Sequence, residues 1–226
     1  MNTAALRLLN IAISIVMVAL AASLHEFGHA LAAHLCGDDT AREAGRLTAN
    51  PLAHIDPFGS LALPFLLAVC GGPAFAFAKP VPYNPRRLRH PGRDEAIVAI
   101  AGPIANLVQA VAGSALFGLA FRAFRDSGYA EPLYYVVLLL SSYVYVNLVL
   151  LFFNIIPIPP LDGSKLLMPL LGGSALEGYR RIQQYAFPII FVIVCVVPSV
   201  LGVDPVGAYL DATAQGLYSL LVGLWI

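Results

Sequence analysis

Two histidines four residues apart, with a glutamate after the first, are the side chains of this sequence best suited to chemistry: His25-Glu26-Phe27-Gly28-His29. On an α-helix, positions i and i+4 lie about 40° apart on one face, so both imidazoles can reach a single metal ion. Glu26, beside them, can take the proton from a water that attacks a carbonyl, and a zinc ion would polarise that carbonyl and acidify the water. The HExxH pattern on a helix therefore points to zinc-dependent hydrolysis. In a soluble protein the same residues read also, with less weight, as two solvated histidines around a glutamate, so the surroundings decide. His34, five residues beyond His29, is rotated off the shared stripe and reads as an interfacial residue.

A catalytic zinc usually takes three protein ligands and leaves one position open, so a third ligand must come from elsewhere in the chain. His54, Asp56, His90 and Asp162 are the candidates. Asp162 stands apart because it closes the stretch Asn154-Ile155-Ile156-Pro157-Ile158-Pro159-Pro160-Leu161-Asp162-Gly163, at the end of a long uncharged run. Its prolines forbid a regular helix and remove backbone donors, and irregular backbone of this kind is tolerated at membrane depth only beside protein or a wet cavity.

The elements that must position these groups follow from composition. Of 226 residues, 59% are apolar and only 12% charged, with a net charge of zero. Soluble domains carry about 25% charged residues, so the chain is too apolar for disorder and lacks the positive charge that nucleic acid attracts. No Asp, Glu, Lys or Arg falls within 8–25, 57–78, 96–121, 132–161, 182–203 or 212–226. A bilayer core demands about 20 predominantly apolar residues per helix. The expected fold is an all-α polytopic membrane protein of about five to six transmembrane helices in a single domain over residues 1–226. Its catalytic core covers about 4–170 and its C-terminal helices about 180–226. In that setting three ionisable groups on the first helix cost several kcal/mol against lipid unless they face a partner or cavity, which weakens the surface reading of HExxH.

Arg7 followed by an apolar run and Ala19-Leu20-Ala21 imitates a secretory signal, but the apolar pattern continues through Leu24, Phe27, Ala30, Leu31 and Leu35 to Cys36, and Gly37 supplies a helix stop. One helix over about 4–36 is expected. Cys36, Cys70 and Cys195 have the spacing of neither a zinc knuckle nor a disulfide framework and read as packing residues.

HEFGH followed at long range by NIIPIPPLDG resembles the site-2 protease family of intramembrane zinc metalloproteases. Asn50-Pro51-Leu52-Ala53-His54-Ile55-Asp56-Pro57-Phe58-Gly59 is similar to that family's NPxxHxDPxG stretch, and Ala101-Gly102-Pro103-Ile104-Ala105-Asn106 to its GPxxN motif. The resemblance covers about residues 20–170. It implies one bound Zn2+ with His25, His29 and Asp162 as ligands, Glu26 as general base, and Asn154 as a polar group near the scissile carbonyl or its oxyanion. Asn154 fits a helix-end cap equally well. Asn106 is expected to pack with Gly102 at a close helix crossing. His54 and Asp56 either orient a ligand or fix a turn before Pro57. The chain looks like a compact member of the family, without a PDZ-like insertion or a nucleotide-binding module. A short strand pair is expected around 45–49, where an unwound substrate could add by edge pairing.

Depth constrains topology, because zinc requires its ligands within about 2 Å of the ion. If 57–78, 96–121 and 132–161 all spanned, His29 and Asp162 would lie in opposite halves of a bilayer about 30 Å thick. The segment 57–78, broken by Pro64 and Gly71-Gly72-Pro73, is therefore expected to be a re-entrant hairpin. Ten of the thirteen Lys and Arg then share one side, which the positive-inside bias makes cytoplasmic. This expectation puts the zinc in the cytoplasmic half of the cell membrane. The basic loop 79–93 reads as an anchor for that side, or as a contact for substrate or lipid headgroups. The last segment spans or lies at the interface, its depth left open by Asp211.

The expected function is an intramembrane zinc endopeptidase acting on transmembrane protein substrates within the lipid bilayer, with no role for nucleic acid. Two other classes remain open. A metal transporter would use intramembrane His and Asp along a continuous polar path, and a catalytically silent membrane scaffold would bind without turnover.

Overall fold

The computed structural model describes residues 3–56, 59 and 79–226. Helix α1 (Thr3–Leu35) forms as the apolar pattern predicts, and the chain turns off it at Gly37, whose φ of +104° is open to glycine and strained for other residues. Asp38 follows, with its side chain wholly buried. Its carboxylate accepts from the Thr40 amide at 3.0 Å, from the Thr40 hydroxyl and from the Asn84 amide, which fastens the end of α1 to a segment more than forty residues away.

Burial alone would push the Asp38 carboxyl up, but the donors from Thr40 and Asn84, with Arg87 3.9 Å away, overcome it and hold it below the ordinary carboxylate value. Stability from a depressed carboxylate is present above its unfolded-state value and lost as pH falls through the folded-state value. Asp38→Ala strands these donors and is expected to cost about 1–3 kcal/mol near neutral pH. Thermal unfolding in detergent should show the gap to wild type narrowing below a pH of about 4; a gap that does not change with pH would contradict the assignment.

Two short helices come next, α2 (Thr40–Glu43) and α3 (Pro51–His54), the second capped by Asn50, whose side chain accepts from the Leu52 amide at 3.1 Å. The strand pair expected around 45–49 does not form, and these residues are turn and irregular backbone. Gly45 reverses the chain at a φ of +66°, the Arg46 amide turns back to the Ala41 carbonyl at 2.8 Å, and the Thr48 carbonyl is taken by a side chain. His54 Nε2 donates to the Thr48 carbonyl at 2.8 Å, and Arg46 donates to the Lys79 carbonyl at 2.7 Å. The re-entrant hairpin expected over 57–78 lies, apart from Gly59, outside the described residues, but its flanks meet: the Lys79 amide donates to the His54 carbonyl at 3.0 Å.

Residues 79–84 run without helix to a 3-10 turn at Pro85–Arg87, and the Arg89 amide returns to the Cys36 carbonyl at 3.0 Å. Helix α4 (Arg93–Asp126) then packs against both α1 and α5 (Glu131–Ile155), which also touch each other. Small residues permit the close crossings, as they do where lipid tails offer no hydrophobic drive between helices. A methyl group on Gly28 of α1 would sit 2.8 Å from the Ala101 carbonyl oxygen of α4 and 3.0 Å from the Ala105 Cβ. Between α4 and α5, Ala110 and Phe117 bury against Val144, Leu148 and Leu151, and Ala214 and Val222 close the cluster from the C-terminal region.

A proline-rich turn leads from α5 into α6 (Asp162–Leu167), followed by α7 (Gly173–Gln183). Beyond it the chain is helical in pieces over Ala186–Leu201 and Pro205–Gly223. The end is anchored to α4, where Trp225 Nε1 donates to Ser114 Oγ at 2.9 Å and that hydroxyl donates to the Leu221 carbonyl at 2.8 Å. Cys36 packs against the buried group Ala32, Ala33, Leu88 and Val98, as the packing reading expected.

Among the described residues three helices, rather than five or six, are long and apolar enough to cross a membrane: α1 over Ile13–Leu35, α4 and α5. A fourth span appears if Glu177–Gln183 and Pro188–Leu201 are one crossing bent by 66°. The apolar stretches near the C-terminus fall short as single rods because Gln184 and Tyr185 form a turn inside 182–203, and Asp211 and Gln215 place polar groups in a π-helical segment at the start of the last one.

Candidate metal centre

Three side chains from two distant parts of the chain converge beside α4. His25 and His29 share one face of α1, and their Nε2 atoms lie 3.0 Å apart. Oδ2 of Asp162, the first residue of α6, lies 3.1 Å from His25 Nε2 and 3.0 Å from His29 Nε2. The three residues are 6%, 9% and 7% exposed, and they form the one His/Cys/Asp/Glu group of metal-binding geometry among the described residues.

Local sequence explains how each arrives. The spacing of four along α1 aligns the two rings. After α5, prolines interrupt the helix and consecutive turns deliver Asp162, with the Leu161 amide bonded to the Ile158 carbonyl at 3.0 Å and the Ser164 amide to that of Leu161 at 3.0 Å. Gly163 lies against the carbonyls of Ile155 and Ile156, where no side chain would fit. The wall of the site is the backbone of α4 at Gly102, where a Cβ would collide with Nε2 of both histidines.

The Nδ1 atoms fix the ring orientations. His29 Nδ1 donates to the Val98 carbonyl at 2.7 Å. His25 Nδ1 donates to Asn106 Oδ1, the Asn106 amide donates to Asn147 Oδ1 at 2.9 Å, and the Asn147 amide donates to the Tyr143 carbonyl at 2.9 Å. With both Nδ1 atoms as donors, both Nε2 atoms present lone pairs to the Asp162 carboxylate, which itself only accepts. Three acceptor atoms about 3 Å apart need a cation between them, and two imidazoles with one carboxylate are a donor set that suits zinc. Lys165 Nζ holds the other Asp162 oxygen at 3.4 Å.

Glu26 stands outside this group. Its Oε2 accepts from the Val81 amide at 2.8 Å, which lays the segment 79–84 against the site. The loop expected to be a charged anchor or a contact thus includes a backbone donor to Glu26. Tyr83 is bound to Glu95 at 3.1 Å, and the Lys165 ammonium sits 5.4 Å from the Tyr83 ring centre.

The remaining sequence candidates fall elsewhere. Asn154 is half-buried in the last turn of α5, and its amide donates to the Leu150 carbonyl of the same helix at 3.0 Å. His54 and Asp56 follow the turn reading: His54 is buried among Thr48, Arg46 and Lys79, and Asp56 accepts from the Gly59 amide at 2.7 Å. His34 pairs with Asp39 at 2.6 Å, off the metal-facing stripe. The His90 amide caps onto Asp94 at 2.8 Å. Asn106 departs from its expected role, because it bonds a candidate ligand in addition to lying one turn from Gly102. Asn147 escaped the sequence reading altogether; its signal was a lone amide inside an apolar run, which needs a partner at membrane depth.

Known proteins bear on the same residues. The profile described as Peptidase family M50 matches residues 132–197, a stretch that includes Asn154 and Asp162. A Bacillus subtilis (strain 168) protein named "Putative zinc metalloprotease YwhC" is 35% identical over 193 residues, covering 83% of this chain and 78% of its own length. "Putative zinc metalloprotease Rip2" of Mycolicibacterium smegmatis is 36% identical over 170 residues, 75% of this chain and 61% of the relative. The protein of the same name from Mycobacterium tuberculosis (strain H37Rv) is 30% identical over 171 residues, again 75% of this chain and 61% of the relative. The chain thus spans about three fifths of the length of these two mycobacterial relatives. No solved structure matches.

Proposed function

The chain belongs to peptidase family M50, the site-2 protease family of zinc metalloendopeptidases, and from that membership we propose that it hydrolyses peptide bonds of membrane-embedded proteins inside the bilayer. The observation that carries the reading is the His25, His29 and Asp162 cluster, nearly buried among helices apolar enough to span. His25 and His29 would hold zinc through Nε2 and Asp162 through Oδ2. When bound, zinc supplies a Lewis acid that polarises the scissile carbonyl and makes water a better nucleophile near neutral pH.

The chain's own groups do the rest. Glu26 takes the proton of the attacking water and returns it to the leaving amine, while the Val81 amide holds its carboxylate in place. Asn154 keeps one amide proton on the Leu150 carbonyl, and its second has no partner among the described residues, which suits a neutral donor to negative charge developing on the substrate oxygen. A substrate helix must unwind to react, because a helical carbonyl is already hydrogen-bonded.

The His-bearing end of α1, the start of α4 and the end of α5 lie together at the end of the bundle that carries Arg42, Arg46, Lys79, Arg86, Arg87, Arg89 and Arg93. Arg122 and Arg125 are at the far end of α4. The positive-inside bias supports a site in the cytoplasmic half of the cell membrane. Five to six crossings, with 57–78 returning to the side it left, remain part of this proposal; the contact between Lys79 and His54 supports the return.

The test is reconstitution in vesicles with a single-span substrate. Wild type is expected to bind one zinc per chain, to cut within the apolar segment of the substrate, and to stop on chelation. His29→Ala and Asp162→Ala should each bind zinc on the order of 100-fold more weakly. Stoichiometric, unweakened zinc in either variant removes that residue from the ligand set, and cuts confined to extramembrane segments sink the intramembrane reading.

A further inference from the structure

Inside the bundle, Asn106 and Asn147 are both 0% exposed, and together they connect α1, α4 and α5. Their hydrogen bonds have a direction. A main-chain carbonyl can only accept, so Asn147 must turn its amide nitrogen to the Tyr143 carbonyl and its oxygen to Asn106. Asn106 then turns its nitrogen to Asn147 and its oxygen to His25 Nδ1. The ring nitrogen facing that oxygen must carry the proton, which leaves Nε2 with its lone pair toward Asp162 and His29. His29 obtains the same tautomer in one step, from the Val98 carbonyl.

We propose that Asn147 and Asn106 form a polarity relay that transmits the fixed sense of the Tyr143 carbonyl to His25 and so selects the tautomer able to bind zinc. Both are positioning residues, and the inference rests on the metal-centre reading above. The relay crosses two helix interfaces because, among the described residues, His25 Nδ1 meets the Asn106 side chain rather than a main-chain carbonyl, whereas His29 has Val98. Its register is braced beside it, where Gln109 donates to the Ala21 carbonyl of α1 at 3.3 Å and accepts from the Tyr143 hydroxyl of α5. A pair of buried amides could also act simply as glue between helices. Glue has no direction, and that difference is measurable.

Zinc affinity, determined by competition with a chromophoric chelator on the purified full chain, is the readout. Asn147→Leu is expected to weaken zinc about 10-fold although it lies two hydrogen bonds from the nearest ligand. Asn147→Asp, which as a neutral acid can still donate to Tyr143 and accept from Asn106, should bind as wild type does. In an Asn106→Asp background the introduced carboxylate accepts from His25 without outside help, so adding Asn147→Leu should bring no further loss. The visible absorption of the cobalt-substituted protein should shift in Asn147→Leu and keep the wild-type form in Asn147→Asp. If Asn147→Leu does not fold, Asn147→Ala serves with the same expectations.

Unchanged zinc affinity in a folded Asn147→Leu, or an equal loss with and without Asn106→Asp, overturns the relay and assigns the pair to helix association. Wild-type protein that binds no zinc overturns the metal centre and the relay with it. Wild-type zinc with unaffected variants overturns the relay alone.

Discussion

Glu26→Gln is expected to lower peptide hydrolysis on the order of 1,000-fold while leaving one zinc per chain in place. The two halves of this result come from separate facts. Glu26 is outside the cluster of His25, His29 and Asp162, so the metal loses no ligand. Its Oε2 is held by the Val81 amide, a bond that the oxygen of glutamine can also accept, so the local structure loses little. What disappears is a base able to take one proton and return it. Turnover would be followed by mass spectrometry of cleaved substrate and zinc by elemental analysis of the same sample. The inactive, metal-loaded variant should also retain uncut membrane proteins, which gives access to the natural substrates. Turnover within tenfold of wild type would remove Glu26 from the proton path.

Gly102→Ala is expected to abolish zinc binding and with it all activity. A methyl group there collides with Nε2 of His25 and of His29, the atoms whose lone pairs define the site. The change has an unusual signature, because alanine in place of glycine inside a helix favours the helix by about 1 kcal/mol. Displacing two buried rings costs about 1–3 kcal/mol and offsets that gain, so the expected protein is zinc-free with a stability within about 2 kcal/mol of metal-free wild type when unfolding is followed in detergent. Gly28→Ala differs, since its added methyl meets the Ala101 carbonyl and the Ala105 side chain and forces α1 from α4. A zinc-replete Gly102→Ala protein would show that the metal sits elsewhere.

The three members of the cluster were legible because local periodicity and apolar context carry the information. Four residues along a helix place His25 and His29 together in any fold that keeps the helix, and a proline-broken stretch inside a hydrophobic run marks where backbone, and with it Asp162, can enter a site. Asn147 was not legible, because its role depends on the register between α4 and α5, which no local pattern encodes. Asn106 was half legible: GPxxN signalled a close crossing, but its bond to His25 depends on how α1 and α4 meet. The strand expected at 45–49 gives way to a turn, because the Gly45 and Arg46 amides bond back to the Arg42 and Ala41 carbonyls. Arg46 and His54 bind the carbonyls of Lys79 and Thr48, and Gly45 turns the chain. The contact of Val81 with Glu26 was hidden because the basic residues of 79–93 suggested charge, whereas the donor is a backbone amide. The count of spans came from composition, which finds apolar length but misses interruptions such as the turn at Gln184 and Tyr185.

The segment that carries Val81 has a consequence for how copies of this protein behave when crowded. Pro80 and Pro82 flank it and are exposed, while Val81 between them is half-buried with its amide on Glu26. The two proline nitrogens have nothing to donate and the Val81 amide is already spent on Glu26, so 80–82 offers another chain no main-chain donor. The outer edge of this stretch is thus blunted against strand-to-strand zipping with another chain. A backbone held open beside a reactive carboxylate would otherwise be a ready template for aggregation in a packed membrane.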